Sequence, residues 1–413
     1  MAKHDAVIIG TGQAGPALAG RLASAGMDVA IIERKYFGGT CVNTGCIPTK
    51  TLVASAYVAH LARRAADYGV TINGAPGVDM KAVKARKDAV SGKSTRGVET
   101  YLKNLKGCTV YEDHARFASA KEVMAGDELL SADKIFINVG ARAAVPMIAG
   151  LDQVPYLTNS SMMDIDFLPR HLIIVGGSYV GLEFAQIYRR FGSGVTVIEL
   201  APRLIAREDQ DVSDAVAEIL KREGIAVHTG SECLSIARNG DEIAVQVRCP
   251  EGPEKVTGSH LLIATGRRPN TDDLSFEKAG IAVNTKGYIE VDDFLETNVP
   301  GIFALGDCNG GGAFTHTSYN DFEIVAANLL DGEERRVTDR ITAYNLYIDP
   351  PLGRAGMTEA EVRASGRPAL IATRPMERVG RAVEKGETQG FMKILVDAET
   401  KLILGASLLG TGC

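Results

Sequence analysis

Residues 7–33 read VIIGTGQAGPALAGRLASAGMDVAIIE, and this stretch decides the fold. A short β-branched run, residues 7–9, predicts a strand and leads into the glycine-rich turn at residues 10–15. A helix is expected over 16–25, and residues 29–32 predict a second strand that ends at Glu33. This order is typical of a dinucleotide-binding βαβ unit. The glycines Gly10, Gly12 and Gly15 let the backbone approach a pyrophosphate at a helix N-terminus, and the acid accepts hydrogen bonds from ribose hydroxyls.

The same pattern returns 166 residues later without a gap, in residues 173–199. Gly176, Gly181 and Glu199 stand where the first copy has its first glycine, its last glycine and its acid. The second copy departs from the pattern at Ser178, which replaces the middle glycine. Two βαβ units in one chain predict two dinucleotide sites and therefore two cofactors.

A pair of cysteines follows the first unit closely, in GGTCVNTGCIPTK at residues 38–50. A disulfide between Cys41 and Cys46 would close so small a loop that it would stabilise the fold little, which favours a redox role. A zinc site needs four ligands, and the chain has no second Cys/His pair at metal-ligand spacing, so no metal site is predicted. A flavin would connect the two features, because it accepts a hydride and can reduce a disulfide.

Composition restricts the remaining classes of function. The chain has 413 residues, a formal net charge of −6 and 45% hydrophobic residues, which suits a globular protein of about three domains and disfavours nucleic acid as the main partner. The basic stretch 81–96 is interpreted as a solvated amphipathic helix. No apolar run is long enough to span a bilayer, and the N-terminus has no signal-peptide pattern. The seven cysteines, one close pair and five scattered residues, are unlike a secreted disulfide framework and predict a reducing cytoplasm. Cys108, Cys233, Cys249 and Cys308 are interpreted as buried or incidental thiols.

With these motifs in order, the chain resembles the pyridine nucleotide–disulfide oxidoreductases, such as glutathione reductase, dihydrolipoamide dehydrogenase and mercuric reductase. The dithiol segment carries the resemblance most specifically. Two further motifs, ATGRRPN at residues 264–270 and GIFALGD at residues 301–307, support it. The resemblance implies an α/β fold with two Rossmann-like dinucleotide-binding domains, for FAD and NAD(P), and a partial α+β dimerisation domain.

The resemblance also implies domain boundaries and site residues. The FAD domain would comprise residues 1–148 and 270–335, the NAD(P) domain residues 149–269, and the interface domain residues 340–413, with strands at 390–396 and 402–409. Asp307 would bind the flavin ribitol, and a helix N-terminus at Thr315 and His316 would face the flavin pyrimidine. The other residues implied to hold FAD are Gly10, Gly12, Gly15, Glu33, Gly39 and Thr40.

The implied catalytic residues are the dithiol, an ion pair and an aromatic lid. Cys46 would face the flavin as a thiolate, and Cys41 would attack the substrate. Lys50 and Glu183 would form an ion pair beside flavin N5, and Tyr179 would cover the flavin face where nicotinamide enters. The residues implied to hold the nicotinamide nucleotide, with NADH favoured over NADPH, are Gly176, Gly181, Glu199, Gly266 and Arg267.

The chain end departs from the family pattern. The sequence stops at Cys413, where the family continues with a His–Glu pair that completes the partner subunit's site. Either a truncated chain or a protein that works without this acid/base pair is therefore expected. The preferred function is electron transfer from NAD(P)H through FAD and the dithiol to a disulfide or a metal ion, by a cytoplasmic enzyme that is a homodimer at full length. An NADH diaphorase or oxidase and a non-catalytic flavoprotein fragment remain as alternatives.

Overall fold

The computed structural model describes residues 1–250 and 252–413. The chain forms two compact units, each assembled from three stretches of sequence. The first unit comprises Met1–Pro48, Asp88–Arg142 and Arg267–Arg340, and the second comprises Thr49–Lys87, Ala143–Gly266 and Ile341–Cys413. The chain thus changes unit within six residues of the predicted domain boundaries, but residues 49–87 group with the second unit instead of the first. The assignment of domains to ligands stays a prediction.

The first unit is built around a five-stranded parallel sheet of order β18-β8-β2-β3-β4. Two central strands, Ala6–Ile9 and Val29–Ile32, are fully buried and rich in β-branched residues, as expected for a parallel sheet covered on both faces. The strands are β2 (Ala6–Ile9), β3 (Val29–Ile32), β4 (Cys108–Tyr111), β8 (Lys134–Ile137) and β18 (Ile302–Ala304).

Helices and a second sheet complete this unit. The sheet is four-stranded, of order β1-β7-β6-β5, with β1 (Ala2–Lys3), β5 (Ala115–Ser119), β6 (Glu122–Ala125) and β7 (Glu128–Ser131). The helices are α1 (Gly15–Ser24), α2 (Gly39–Asn43) and α7 (Thr315–Ala326). Helix α3 (Cys46–Arg63) begins in the first unit and continues in the second, and α4 (Met80–Asn104) returns the chain. The predicted basic helix at 81–96 lies inside α4.

The second unit repeats the parallel arrangement in a four-stranded sheet of order β12-β11-β10-β16. The strands are β10 (His171–Val175), β11 (Gly194–Ile198), β12 (Ala226–His228) and β16 (His260–Ile263). Helices α5 (Tyr179–Phe191) and α6 (Gln210–Arg222) pack on it. An antiparallel sheet of β13 (Glu232–Asn239), β14 (Glu242–Arg248) and β15 (Lys255–Gly258) adjoins it. A separate two-stranded ladder joins β9 (Ala141–Ala143) to β17 (Arg267–Pro269).

A five-stranded antiparallel sheet of order β19-β20-β23-β22-β21 forms the C-terminal part of the second unit. Two of its strands match the predicted segments closely, at Phe391–Asp397 and Ile403–Leu409. Its buried residues Leu346, Leu352 and Leu409 share one hydrophobic core with Leu182 and Phe184 of α5, which explains why these stretches form one unit. The elements are β19 (Ala343–Leu346), β20 (Leu352–Gly356), β21 (Ala369–Pro375), β22 (Phe391–Asp397) and β23 (Ile403–Leu409), with helices α8 (Glu359–Ala364) and α9 (Gly380–Glu384).

Short helical turns connect these elements. They are Ala65–Tyr68, Leu151–Gln153, Ser161–Asp164, Phe276–Lys278, Gly306–Asn309, Ala327–Asp331, Val337–Asp339 and Met376–Arg378. Among the described residues, no helix combines the length and the apolar character that a bilayer span requires.

Candidate functional site: two glycine turns and a dithiol

The first glycine turn lies at the carboxyl end of β2, where the chain passes from the sheet into α1. Gly10 has a φ of +102°, and a Cβ there would lie 2.4 Å from the Asn138 carbonyl oxygen. A Cβ on Gly15 would lie 2.3 Å from the Gly10 carbonyl oxygen. Only glycine therefore allows α1 to pack this closely on the strand. The N-cap residue of α1, Ala14, has no capping side chain, and the N-terminus of the helix is a position that favours an anion.

Glu33 holds its carboxylate beside this turn, as the sequence predicts. Its Oε2 accepts hydrogen bonds from the Thr11 backbone N–H at 3.0 Å and from the Thr11 hydroxyl at 2.6 Å. Its Oε1 accepts from the Lys35 N–H at 2.9 Å. The acid that would bind ribose hydroxyls is thereby fixed against the glycine turn before any ligand binds.

Asn138 is a residue of this turn that the sequence analysis missed. It follows β8 directly, its Oδ1 accepts from the Gly15 N–H at 3.1 Å, and its Nδ2 donates to the Leu305 carbonyl at 2.9 Å. A Cβ on Gly12 would lie 2.7 Å from the Asn138 Oδ1. Asn138 therefore joins the turn to the segment that leads to Asp307. Its position directly after a buried apolar strand is a signal that could have identified it, because ligands bind at the carboxyl ends of parallel strands.

The second glycine turn repeats the first in the second unit. Gly176 has a φ of +116°, and a Cβ on Gly181 would lie 2.1 Å from the Gly176 carbonyl oxygen. Glu199 accepts from the Gly177 N–H at 2.5 Å and from the Ala201 N–H at 2.7 Å. Ser178 is exposed and extended, with φ −111° and ψ −174°, so this position does not require glycine. The serine is compatible with the same turn geometry.

The dithiol segment packs directly against the first glycine turn. Gly38 and Gly39 have φ values of +90° and +61°, and a Cβ on Gly39 would lie 3.0 Å from the Gly12 Cα. The Gly38 N–H donates to the Thr11 hydroxyl at 3.1 Å. The half-buried Thr40 accepts from the Thr44 N–H through its carbonyl, which closes α2. These contacts bring the cysteines next to the proposed dinucleotide site of the same unit.

Both sulfurs of the pair contact one hydroxyl. The Thr315 Oγ1 lies 3.0 Å from the Cys46 Sγ and 3.2 Å from the Cys41 Sγ. Neither cysteine forms a disulfide, so the structure corresponds to the dithiol form. Cys46 is the first residue of α3, where the helix dipole favours negative charge. The Thr315 contact crosses 269 residues of sequence and was not predicted.

The surroundings of the Cys41 sulfur disfavour its ionisation. The pKa of Cys41 is raised, first by its hydrogen bond with the Cys46 sulfur and then by burial. The Thr315 hydroxyl acts in the opposite direction and lowers this pKa. The assignment of the thiolate to Cys46 stays a prediction.

Thr315 and His316 begin α7, in agreement with the predicted helix N-terminus. This helix has no side-chain cap. The His316 ring stacks on Phe314, with centroids 5.5 Å apart and planes at 14°. The helix terminus thus offers free N–H groups, while the imidazole packs on its neighbour.

Asp307 and Arg267 form a pair in the first unit. The Arg267 Nε donates to the Asp307 Oδ2 at 3.2 Å, and its Nη2 donates to the Ala141 carbonyl at 2.5 Å. Burial raises the pKa of Asp307, and the Arg267 charge opposes this rise. Gly266 lies next to Arg267 in sequence, has a φ of +123° and has open space where a Cβ would be.

Lys50 and Glu183 form the predicted ion pair, although 133 residues separate them. The Lys50 Nζ lies 2.7 Å from the Glu183 Oε2 and 4.5 Å from the centre of the Tyr347 ring. The Glu183 side chain is 6% exposed and also accepts from the Tyr347 N–H at 3.1 Å. Lys50 is therefore the cation that compensates a buried carboxylate in the second unit.

Tyr179, the predicted lid, begins α5 directly after the second glycine turn. Its hydroxyl donates to Glu208 at 3.2 Å, a contact that the sequence analysis missed.

Four cysteines outside the dithiol segment, Cys108, Cys233, Cys249 and Cys308, are interpreted from the sequence as buried or incidental thiols. Cys308 is fully buried, Cys108, Cys233 and Cys249 are half-buried, and burial is the main cause that raises the pKa of Cys308 to about 12. Of these four thiols, only Cys308 is fully buried. Within residues 1–250 and 252–413, no group of three or more His, Cys, Asp or Glu side chains is arranged to hold a metal ion.

Comparison with known proteins identifies the family. Residues 4–321 match the family described as pyridine nucleotide-disulphide oxidoreductase, and residues 342–413 match its dimerisation domain. The chain is 38% identical to the probable pyridine nucleotide-disulfide oxidoreductase RclA of Escherichia coli, over 99% of this chain and 90% of that protein. It is 35% identical to a mercuric reductase of Streptomyces lividans, over 99% of this chain and 87% of that protein.

A solved structure agrees with these sequence matches. The HOCl-induced flavoprotein disulfide reductase RclA from Escherichia coli aligns with a TM-score of 0.89 and 36% identity, over 99% of this chain and 90% of that one. The expected α/β fold with two Rossmann-like domains and a dimerisation domain is thereby confirmed. The chain belongs to the pyridine nucleotide–disulphide oxidoreductase family.

Proposed function

We propose that this protein is an FAD-dependent NAD(P)H oxidoreductase that passes electrons through the Cys41–Cys46 pair to a disulfide or a metal ion. The observation that carries the proposal is the position of the dithiol. Its segment lies so close to the first glycine turn that a Cβ on Gly39 would be 3.0 Å from the Gly12 Cα, and both sulfurs contact the Thr315 hydroxyl at a helix N-terminus. A redox pair fixed against a dinucleotide turn is suited to exchange electrons with a cofactor bound there.

The residues of the first unit fit FAD. The glycine turn leaves no room for side chains, and Glu33 stands ready at the carboxyl end of the neighbouring strand. Asp307 would hydrogen-bond the ribitol, and the uncapped N-terminus of α7 would favour negative charge on the flavin pyrimidine. When bound, FAD supplies hydride acceptance and the transfer of two electrons to sulfur.

The dithiol residues have separate roles in this proposal. Cys46, at the start of α3, carries the thiolate, and Cys41 keeps a proton and attacks a disulfide substrate as it loses that proton. The overall reaction takes up NAD(P)H, one proton and one disulfide, and it yields NAD(P)⁺ and two thiols. The Lys50–Glu183 pair and the Tyr179 lid would act in hydride transfer, as the family resemblance implies.

The second turn favours NADH over NADPH. Glu199 holds its carboxylate at the carboxyl end of β11, where a ribose would bind, and this charge repels a 2′-phosphate. The guanidinium of nearby Arg203 is engaged, because its Nη2 donates to the Ala206 carbonyl at 3.1 Å and to the Glu208 carbonyl at 3.2 Å. Arg203 is therefore a poor candidate for binding a 2′-phosphate.

The acceptor class follows from thiol chemistry and from the names of the relatives. A mercuric reductase is among them, and solved relatives include a Cu(II) complex of the Escherichia coli RclA protein. Soft metal ions and disulfides both react with thiolates, so either suits the Cys41–Cys46 pair. The match of residues 342–413 to a dimerisation domain supports a homodimer as the working form.

An acceptor panel tests this function. The holoenzyme is assayed with NADH and lipoamide, glutathione disulfide, Hg(II) or Cu(II), beside ferricyanide, which takes electrons from flavins directly. We expect at least one thiol-reactive acceptor to be reduced by the wild-type protein and not by Cys41→Ser, while both proteins reduce ferricyanide. Reduction of ferricyanide alone by both proteins would contradict the proposal and favour a diaphorase.

A further inference from the structure

A buried carboxylate on α7 holds the short helical turn Gly306–Asn309, which carries Asp307. The Asp321 side chain is 1% exposed, and its Oδ2 accepts from the Gly306 backbone N–H at 2.7 Å and from the Asn309 side-chain amide at 3.2 Å. Gly306 is the first residue of this turn, and Asp307 is the second. Asp321 therefore satisfies the N-terminus of the turn from a position 15 residues further along the chain.

The other carboxylate oxygen of Asp321 is held by a cation. Its Oδ1 accepts from the Arg340 Nη2, and the Arg340 side chain is 16% exposed. Arg340 is fixed in turn, because its Nε donates to the Asn320 Oδ1 at 2.8 Å. A buried carboxylate is costly unless it is paired, so Arg340 stabilises Asp321 in an orientation that leaves Oδ2 to the turn.

The turn lies in close contact with α7. Gly306 has a φ of +75°, and a Cβ there would lie 2.6 Å from the Ser318 Oγ, three residues before Asp321 on this helix. Asp307 directly follows this contact, and its side chain is 20% exposed. The place of the Asp307 backbone therefore depends on how the turn is held against α7, and the hydrogen bond from Gly306 to Asp321 holds it.

We propose that Asp321 is a positioning residue for FAD, because it holds the backbone of Asp307 in the place from which that carboxylate binds the ribitol. The inference rests on the proposed function, in which Asp307 is the ribitol ligand. The Arg267 guanidinium orients the Asp307 carboxylate, while Asp321 fixes the backbone that carries it. A ligand group that is fixed before the cofactor arrives lowers the ordering cost of binding. Loosening the turn should therefore lower the affinity for FAD, although Asp321 is too buried to contact the cofactor itself.

Removal of the carboxylate should weaken FAD binding through Asp307. In Asp321→Ala the buried Gly306 N–H loses its acceptor, and the turn is free to shift. The dissociation constant of the full-length apoprotein for FAD, measured from the change in flavin fluorescence, should rise about tenfold. In the Asp307→Ala background the same substitution should have no further effect, because the group that it positions is already absent.

Competition by ADP separates the positioning of the ribitol site from a general loss of structure. ADP contains the adenosine and pyrophosphate half of FAD, for which the first glycine turn and Glu33 are the proposed ligands, and it lacks the ribitol. The inhibition constant of ADP against FAD binding should therefore be unchanged in Asp321→Ala and raised in Glu33→Ala. ADP bound at the second glycine turn does not compete with FAD and does not enter this constant.

Glu323→Ala is the matched control on the same helix. Glu323 lies two residues beyond Asp321, and its carboxylate accepts from the Asn320 amide at 3.0 Å instead of from the turn. This variant should change neither the dissociation constant for FAD nor the inhibition constant of ADP.

The outcomes are distinguishable from failure of the proposed function. A wild-type apoprotein that does not bind FAD, or an Asp307→Ala variant with unchanged affinity, would overturn the proposed FAD site itself. If Asp307→Ala weakens binding, the inference alone is overturned by unchanged affinity in Asp321→Ala, by a further loss in the Asp307→Ala background, or by equal weakening of ADP. If Asp321→Ala fails to fold, Asp321→Asn decides by the same three results, since an amide has one acceptor oxygen and cannot serve the turn and Arg340 together.

Discussion

The Thr315 hydroxyl is the contact of the dithiol that is easiest to remove. Thr315→Val keeps the shape of the side chain and deletes the oxygen that lies 3.0 Å from the Cys46 Sγ and 3.2 Å from the Cys41 Sγ. The hydroxyl carries one hydrogen, which donates to the Cys41 Sγ here and can turn to a thiolate on Cys46. Without it, the ionised pair loses a hydrogen-bond donor and is destabilised relative to the dithiol. Reaching the same thiolate fraction requires a higher pH.

The size of the effect follows from the contact. A hydrogen bond to a charged group contributes about 1.5–3 kcal/mol, which corresponds to about one to two pH units in the midpoint of thiolate formation. Both sulfurs are half-buried, so water can replace part of the lost hydrogen bond. We therefore expect the midpoint of thiolate formation to shift by about one pH unit. The midpoint should move upward, because the variant disfavours the ionised form.

The assay is a pH titration of the anaerobic holoenzyme after two-electron reduction by dithionite. The long-wavelength absorbance between a thiolate and oxidised flavin reports the ionised sulfur. Thr317→Val is the control, since Thr317 lies two residues further along the same helix and is also largely buried, with 7% exposure. A midpoint that is unchanged in Thr315→Val, or one that shifts equally in Thr317→Val, would refute the role of the hydroxyl.

Three further outcomes are expected. Cys46→Ser should abolish the long-wavelength absorbance, whereas Cys41→Ser should show it without substrate; the opposite pattern would reverse the roles of the two sulfurs. Glu199→Ala should raise kcat/KM for NADPH relative to NADH about tenfold in steady-state assays, because the charge that repels the 2′-phosphate is removed. Lys50→Met should lower the free energy of unfolding in urea by about 1–3 kcal/mol, because it leaves the Glu183 carboxylate without its cation. The loss should be smaller than for a fully buried pair, since Lys50 is 33% exposed.

The Lys50 experiment has a matched control on the surface. Lys103 pairs with Glu99 at 2.7 Å, and both side chains are solvent-exposed. Lys103 also pairs with the exposed Glu112 at 2.6 Å. Lys103→Met should lower the free energy of unfolding less than Lys50→Met does, because solvent screens exposed pairs. Equal losses in the two variants would show that burial of Glu183 does not determine the energy of the Lys50 pair.

The two βαβ units could be predicted from the sequence because their determinants are local. The glycines, the apolar strands and the acids lie within 27 residues in each copy, and the structure places Glu33 and Glu199 against their turns as expected. Ser178 is compatible with the second turn because its backbone is extended. Patterns of this kind depend on chain geometry over short distances, which sequence spacing records directly.

Contacts between distant segments could not be predicted in the same way. The Lys50–Glu183 pair was available only through the family resemblance, since nothing local relates residues 133 apart. Asn, Thr and Glu are common in loops and at helix ends, so their residue type alone indicates no role. The contacts of Asn138, the Thr315 hydroxyl and Glu208 result from the packing of distant segments within each unit. Periodicity carries no information about such tertiary hydrogen bonds.

The central claim is that electrons from NADH reach the Cys41–Cys46 pair. The most direct test is to add one equivalent of NADH to the oxidised holoenzyme without oxygen, alkylate the protein and locate the modified cysteines by mass spectrometry. Cys41 and Cys46 should both become alkylated upon NADH addition, while the labelling of the other cysteines should not change. Full consumption of NADH with no new alkylation at either cysteine would contradict it.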